Sequence, residues 1–219
     1  VNMLNPTDQM SAVFGNNETN LIVNTPSGAY NSSVNSSWSA AGINPAFLPF
    51  FPEMADDTYA TIGLTGPASE MEGAADPSLV EDVNQTISPY FLTDGATGLL
   101  SSTTIGASWY VLNGAANGLP DSDMRVLVLQ VTTEGSISGT INYQVFPLGE
   151  GSNAVQRSLD FDGVGTYGAI NNCGCTDSNA INYDEAAEYD DGSCIDIGLG
   201  CTDENACNYD SEANTDDGS

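Results

Sequence analysis

The sequence predicts an all-β protein: a jelly-roll-like β-sandwich followed by irregular, disulfide-stapled repeats. Three observations carry this expectation. Segments rich in β-branched and aromatic residues recur between clusters of Gly, Pro, Asn and Asp, and long helical periodicity is absent. All five cysteines of the 219-residue chain fall after position 172. Thirteen of the 30 acidic residues also lie in residues 171–219, a stretch with few large aliphatics. The composition break divides the chain into a β-domain, residues 1–170, and a Cys/Asp-rich tail, residues 171–219. The tail cannot bury enough apolar surface to order itself, so something other than a core must hold it.

Taken in order, residues 1–15 ("VNMLNPTDQMSAVFG") carry Met3, Leu4, Met10, Val13 and Phe14 without an obvious local partner. Two expectations follow: a strand donated to the next molecule, or the first strand of the chain's own sandwich. Residues 20–34 hold one short strand. "INPAFLPFFPEM" (residues 43–54) is a Pro-broken aromatic loop expected to plug one end of the core. Residues 56–66 and 155–168 read as weaker strands. The clearest strands lie at residues 107–114, 124–133 and 137–146. In the second of these Val126 and Val128 share one face and Leu127, Leu129 and Val131 the other. Both faces are apolar, as in a strand at the centre of a sandwich. Trp38 and Trp109 are expected in or beside the core.

The charge balance narrows function. Against 30 acidic residues stand Arg125 and Arg157 alone, with no Lys or His. Nucleic acid and anionic membrane surfaces are bound through Lys and Arg, so neither is an expected partner. No apolar run approaches the length that spans a bilayer, and the first residue, Val1, fits a mature form whose leader has been removed. Cysteines clustered in a short acidic stretch point to local staples in an oxidising, extracellular compartment, at the cell surface or secreted.

The tail says one thing twice. "GCTDSNAINYDEAAEYDDGSC" (residues 174–194) and "GCTDENACNYDSEANTDDGS" (residues 200–219) align as G-C-T-D-x-N-A-x-N-Y-D-x-x-A-x-x-D-D-G-S. The shared oxygen donors are Asp177, Asn182, Asp184, Asp190 and Asp191 in the first copy, and Asp203, Asn208, Asp210, Asp216 and Asp217 in the second. Hard oxygens of this density, with a Gly after the acidic pair, suit Ca2+, which takes six to eight oxygen ligands. Transition metals are poorly served without His. The spacing is not that of an EF-hand. An order of residue types repeated at fixed spacing asks more than a solvated acidic tail would.

The "GCTD…NYD…DDGSC" wording resembles the short Cys-bounded repeats of large secreted surface proteins of aquatic microbes, and more remotely the calcium-binding type 3 repeats of thrombospondin. Residues 50–68 and 107–149 are also similar to a domain found in such secreted proteins. The resemblance implies location and role, not a reaction. Offsets within the copies suggest pairing of Cys175 with Cys194 and of Cys173 with Cys207, leaving Cys201 to pair beyond residue 219. Pairing of Cys194 with Cys201 stays open. The odd count implies a longer protein with further repeats.

Without His or Lys, Ser-His-Asp and Cys-His catalysis are excluded. A carboxylate pair could hydrolyse a glycosidic bond, and Glu53, Asp56 and Asp57 are available, yet nothing distinguishes them from loop acids. The expected role is structural and non-catalytic: a subunit of an extracellular filament or surface appendage, stiffened by calcium and disulfides, its partner another copy of itself joined head-to-tail. Alternatives are a secreted adhesin or carbohydrate-binding module and, behind it, a glycoside hydrolase. Sequons at Asn17, Asn31, Asn35 and Asn84 predict a glycosylated surface if the source is eukaryotic.

Overall fold

The computed structural model describes residues 1–168, 173–187, 189, 190, 192–211, 213–216 and 218, with Cys173 and Tyr189 described by backbone alone. The chain divides into two compact units, Val1–Gly168 and Ala169–Ser219. The described residues form strands and short 3₁₀ turns, with no α-helix among them, so the protein is all-β.

In the first unit the strands are β1 (Gln9–Gly15), β2 (Leu21–Ala29), β3 (Tyr59–Ala60), β4 (Ser78–Glu81), β5 (Ala96–Ser101), β6 (Ala107–Tyr110), β7 (Leu129–Gln130), β8 (Ser138–Phe146) and β9 (Val155–Asp162). β3 and β7 pair with each other, and the other seven make one antiparallel sheet. β8 organises that sheet. It pairs with β9 along almost its whole length, from Ser138↔Asp162 to Val145↔Val155. Its opposite edge is shared between two strands: Phe14↔Asn142 through Gln9↔Phe146 join it to β1, and Ile22↔Thr140 through Asn24↔Ser138 join it to β2. From this fork β1 leads to β6 and β4, and β2 leads to β5.

Asn142 stands where the ladder splits. Its Nδ2 donates to the carbonyls of Phe14, Thr19 and Asn20 at 3.1, 3.2 and 3.0 Å. These carbonyls lie at the diverging ends of β1 and β2, and a buried carbonyl without a donor is costly.

The core gathers Met10 and Val13 from β1, Leu21 and Val23 from β2, Leu99 from β5 and Trp109 from β6, together with Ile87, Phe91, Val126 and Val128. Alternation explains β2, where Leu21, Val23 and Thr25 point inward and Asn24 and Pro26 outward. Trp109 is fully buried, and its indole N–H is shared between the carbonyls of Thr61 and Val128, both at 3.1 Å. Phe91 meets its ring edge-on at 6.1 Å. A smaller cluster of Ala40, Ile43, Tyr59 and Leu64 lies apart from this core.

Several expectations need correction. Residues 124–133 are not a central strand, since only Leu129 and Gln130 enter a ladder. The rest is extended but tied to different segments in turn: Val126 N–H to the Val1 carbonyl, and the carbonyls of Val128 and Leu127 to Thr61 and Gly63. Val126 and Val128 are buried, whereas on the other face Leu127 is exposed and Leu129 and Val131 are half-buried, so only one face is fully covered. The aromatic loop does not plug the core. Phe47, Phe50 and Phe51 are exposed, Phe50 by 77%, and only Met54 and Ile43 of residues 43–54 are buried. Pro45, Pro49 and Pro52 hold this stretch in turns and keep it from pairing as a strand. Residues 1–15 supply β1, which lies between β6 and β8 of the same chain's sheet. Residues 20–34 hold a nine-residue strand, and the segment from residue 155 an eight-residue one.

Candidate functional site

The acidic tail is built from turns, and the two copies build them alike. In the first copy Asp177 Oδ1 accepts the N–H of Asn179 at 2.8 Å and its side-chain amide at 3.0 Å. In the second Asp203 Oδ1 accepts the same groups of Asn205 at 2.9 and 3.2 Å. Short polar side chains that close onto the backbone two residues ahead favour such turns. The pattern continues: Ala180 and Ala206 N–H donate to the Asp177 and Asp203 carbonyls at 3.0 Å, and Asp184 and Asp210 N–H to the Cys175 and Cys201 carbonyls at 2.9 Å. Asp190 and Asp216 each cap the Gly two residues on at 3.0 Å. Two short parallel pairs close the modules, β10 (Cys173–Gly174) with β11 (Tyr189–Asp190) and β12 (Leu199–Gly200) with β13 (Thr215–Asp216).

The opening Gly of each copy is closely packed, more tightly at Gly200 than at Gly174. A Cβ on Gly174 would lie 3.4 Å from Asp184 Oδ2, and one on Gly200 would lie 3.2 Å from Asp210 Oδ2 and 3.0 Å from Ala213 Cβ. Larger residues would push a carboxylate off the turn. Cys175, 1% exposed, is bonded to Cys194 with Cα atoms 4.7 Å apart. This bond closes the loop that contains all five donors of the first copy. Cys201 is buried at the equivalent place and Cys207 is exposed, neither bonded to another described cysteine. The Cys173 side chain lies outside the described residues, and with it the test of its pairing to Cys207.

No protein-family model, curated protein or solved structure matches this chain.

The predicted calcium donors therefore stand on their own geometry. Asp177, Asp184, Asp190, Asp203 and Asp216 each use Oδ1 in a turn, Asp184 by accepting the Ala186 N–H at 2.9 Å. Asp191 and Asp217 fall outside the described residues. Among the described residues no three His, Cys, Asp or Glu side chains converge as a metal site. Hydrogen bonds from the Asn205 N–H and amide hold the Asp203 carboxyl below the usual carboxylate range. The charge of residues 171–219 is wholly negative, since neither Arg lies there.

Asn182 has a role that composition did not suggest. Its Nδ2 donates to the Ser193 carbonyl at 2.6 Å and its Oδ1 accepts the Ile195 N–H at 2.8 Å, so both ends of the amide hold the link between copies. From the other side Asn214 donates to the Asp196 carbonyl and accepts from the Gly198 N–H, both at 2.8 Å. Asn214 was missed because the shared pattern carries no constraint at its position.

The sequons separate. Asn17 and Asn84 are exposed, whereas Asn31 is 5% exposed, with Nδ2 donating to the carbonyls of Tyr90 and Thr93 at 3.0 and 2.9 Å. A glycan on that nitrogen would displace at least one of these bonds, so Asn31 is the least accessible of the four sequons. Asn35 Nδ2 is committed to Asp57 Oδ2 at 2.5 Å. Of the carboxylates considered for hydrolysis, Glu53 and Asp56 are exposed, and Asp57 is buried with both oxygens hydrogen-bonded.

Proposed function

We propose that the chain is a structural subunit of an extracellular filament or cell-surface appendage: a β-sandwich domain joined to acidic modules stiffened by calcium and disulfides. The observation that carries this reading is the recurrence of one turn-and-bridge hydrogen-bond pattern in both acidic copies, with the link between them held by Asn182 and Asn214. Such a unit spaces and stiffens. The Cys175–Cys194 disulfide agrees with an oxidising compartment. Among the described residues no helix is long and apolar enough to cross a membrane. Calcium would be held by the remaining oxygens of the Asp turns and by backbone carbonyls, neutralising a segment that has no cation of its own. Head-to-tail joining through residues 1–15 would require β1 to leave its place between β6 and β8 and enter a neighbour's sheet, a strand exchange.

A second reading, a secreted adhesin or glycan-binding module, draws on exposed Phe47, Phe50 and Phe51, whose rings offer flat apolar faces in an uncharged stretch. Electron microscopy of the purified chain with calcium and with chelator tests the first reading. Filaments or ordered oligomers that require calcium are expected, and a monomer under both conditions contradicts it.

A further inference from the structure

We propose that β9 is a self-pairing edge, at which two copies of this chain join their sheets through antiparallel β9–β9 hydrogen bonds around Ser158. The contact deepens the self-assembling reading above and rests on it. Among the described residues β9 pairs only with β8, so every second one of its eight residues turns its backbone N–H and C=O outward on the other side. An unpaired edge of this length is a template for another strand. Its side chains alternate strictly, with Val155, Arg157, Leu159 and Phe161 half-buried and Gln156, Ser158, Asp160 and Asp162 exposed.

Charge decides which strand fits. In a chain of net charge −28, most surfaces of one copy repel another. A two-fold axis perpendicular to the sheet places residues on the same face opposite each other, so one residue of β9 must face itself. Centring on Arg157 or on Asp160 would set like charges directly opposite, which is destabilising. Centring on Ser158 sets Gln156 against Asp160, an amide against a carboxylate, and on the other face Val155 against Phe161 and Arg157 against Leu159. Every one of these residues lies inside the strand. Centring on Leu159 would carry Val155 past the strand end to Gly163, whose φ of +78° and N–H bond to the Ile137 carbonyl at 2.7 Å turn the chain away. The favourable pairs recur twice across the axis, as an isologous contact requires. A two-fold contact closes on two chains, so a filament needs a second contact elsewhere.

Sedimentation velocity of the full chain over a concentration series, in calcium-containing buffer, tests the contact. The unaltered chain is expected to shift from monomer to dimer or larger species. Gln156→Glu, which sets two carboxylates opposite, is expected to weaken association at least tenfold, and Gln156→Lys to strengthen it several-fold. Gln156 is exposed, so both variants keep the fold, checked by near-UV circular dichroism. Oxidised Ser158→Cys is expected to give a dimer cross-linked between the two introduced thiols. Association insensitive to the charge at position 156, or no such cross-link, overturns the β9 contact while leaving the filament intact. A chain that stays monomeric throughout overturns both.

Discussion

Asp57 illustrates how an acidic chain accommodates a buried carboxylate without a base. Its Oδ1 accepts the Ser32 N–H at 2.8 Å and its Oδ2 the Asn35 amide, so one side chain fixes the loop that follows β2. Burial pushes its carboxyl above the usual range and the neighbouring Asp94 adds to the rise, while hydrogen bonds from Asn35, Ser32 and Thr58 pull the other way. Asp57→Ala orphans both side-chain-bound donors and should cost about 2–4 kcal/mol in chemical denaturation. The pH dependence has a definite sign. A carboxyl whose folded pKa is raised favours the fold most below its unfolded pKa, and that contribution is lost as pH rises through the folded value. The stability of the parent chain minus that of Asp57→Asn should therefore grow on acidification from neutral pH into the carboxylate range. A difference that shrinks would contradict the burial argument. The sequons belong to the same scale. Secreted from a glycosylating eukaryotic host, the chain should carry glycan at Asn17 and Asn84 and none at Asn31, as read by glycopeptide mass spectrometry.

At the scale of elements, the fork on β8 accounts for what the sequence disclosed and what it concealed. Strands β6, β8 and β2 show as apolar runs or alternation because burial on one face leaves a period of two. The fork does not, because it depends on Asn142, a residue that composition assigns to turns. Asn142→Ala removes one donor from three carbonyls and should destabilise the first unit by about 2–4 kcal/mol, measured as a lowered denaturation midpoint at unchanged slope. Residues 124–133 misled for a related reason. Their hydrophobicity reflects Val126 and Val128 entering the core one at a time, and apolar content alone does not reveal that their hydrogen bonds go to three separate segments. In the acidic modules the alignment marked the turn-forming Asp residues and the Cys175–Cys194 staple. It could not distinguish an oxygen that caps a turn from one that waits for an ion, nor show that Asn182 spends both ends of its amide on the link between copies.

For the whole molecule, the two units are stabilised by different means. Val1–Gly168 has an apolar core and Ala169–Ser219 has turns, short bridges and a disulfide. A loop closed over this sequence separation stabilises on the order of 3 kcal/mol. Reduction should therefore loosen the acidic unit and leave the first unit's denaturation midpoint unchanged. Thirteen acidic residues without a counter-charge oppose that ordering, since close pairs repel by about 1 kcal/mol or more even at high dielectric. Bound cations would remove the repulsion and couple metal binding to folding. The claim that calcium stiffens these modules is tested most directly by hydrogen exchange of the intact, oxidised chain, with millimolar calcium and with chelator. Slower exchange with calcium is expected throughout residues 173–219, with residues 1–168 unchanged. Identical exchange of residues 173–219 in the two buffers would contradict it.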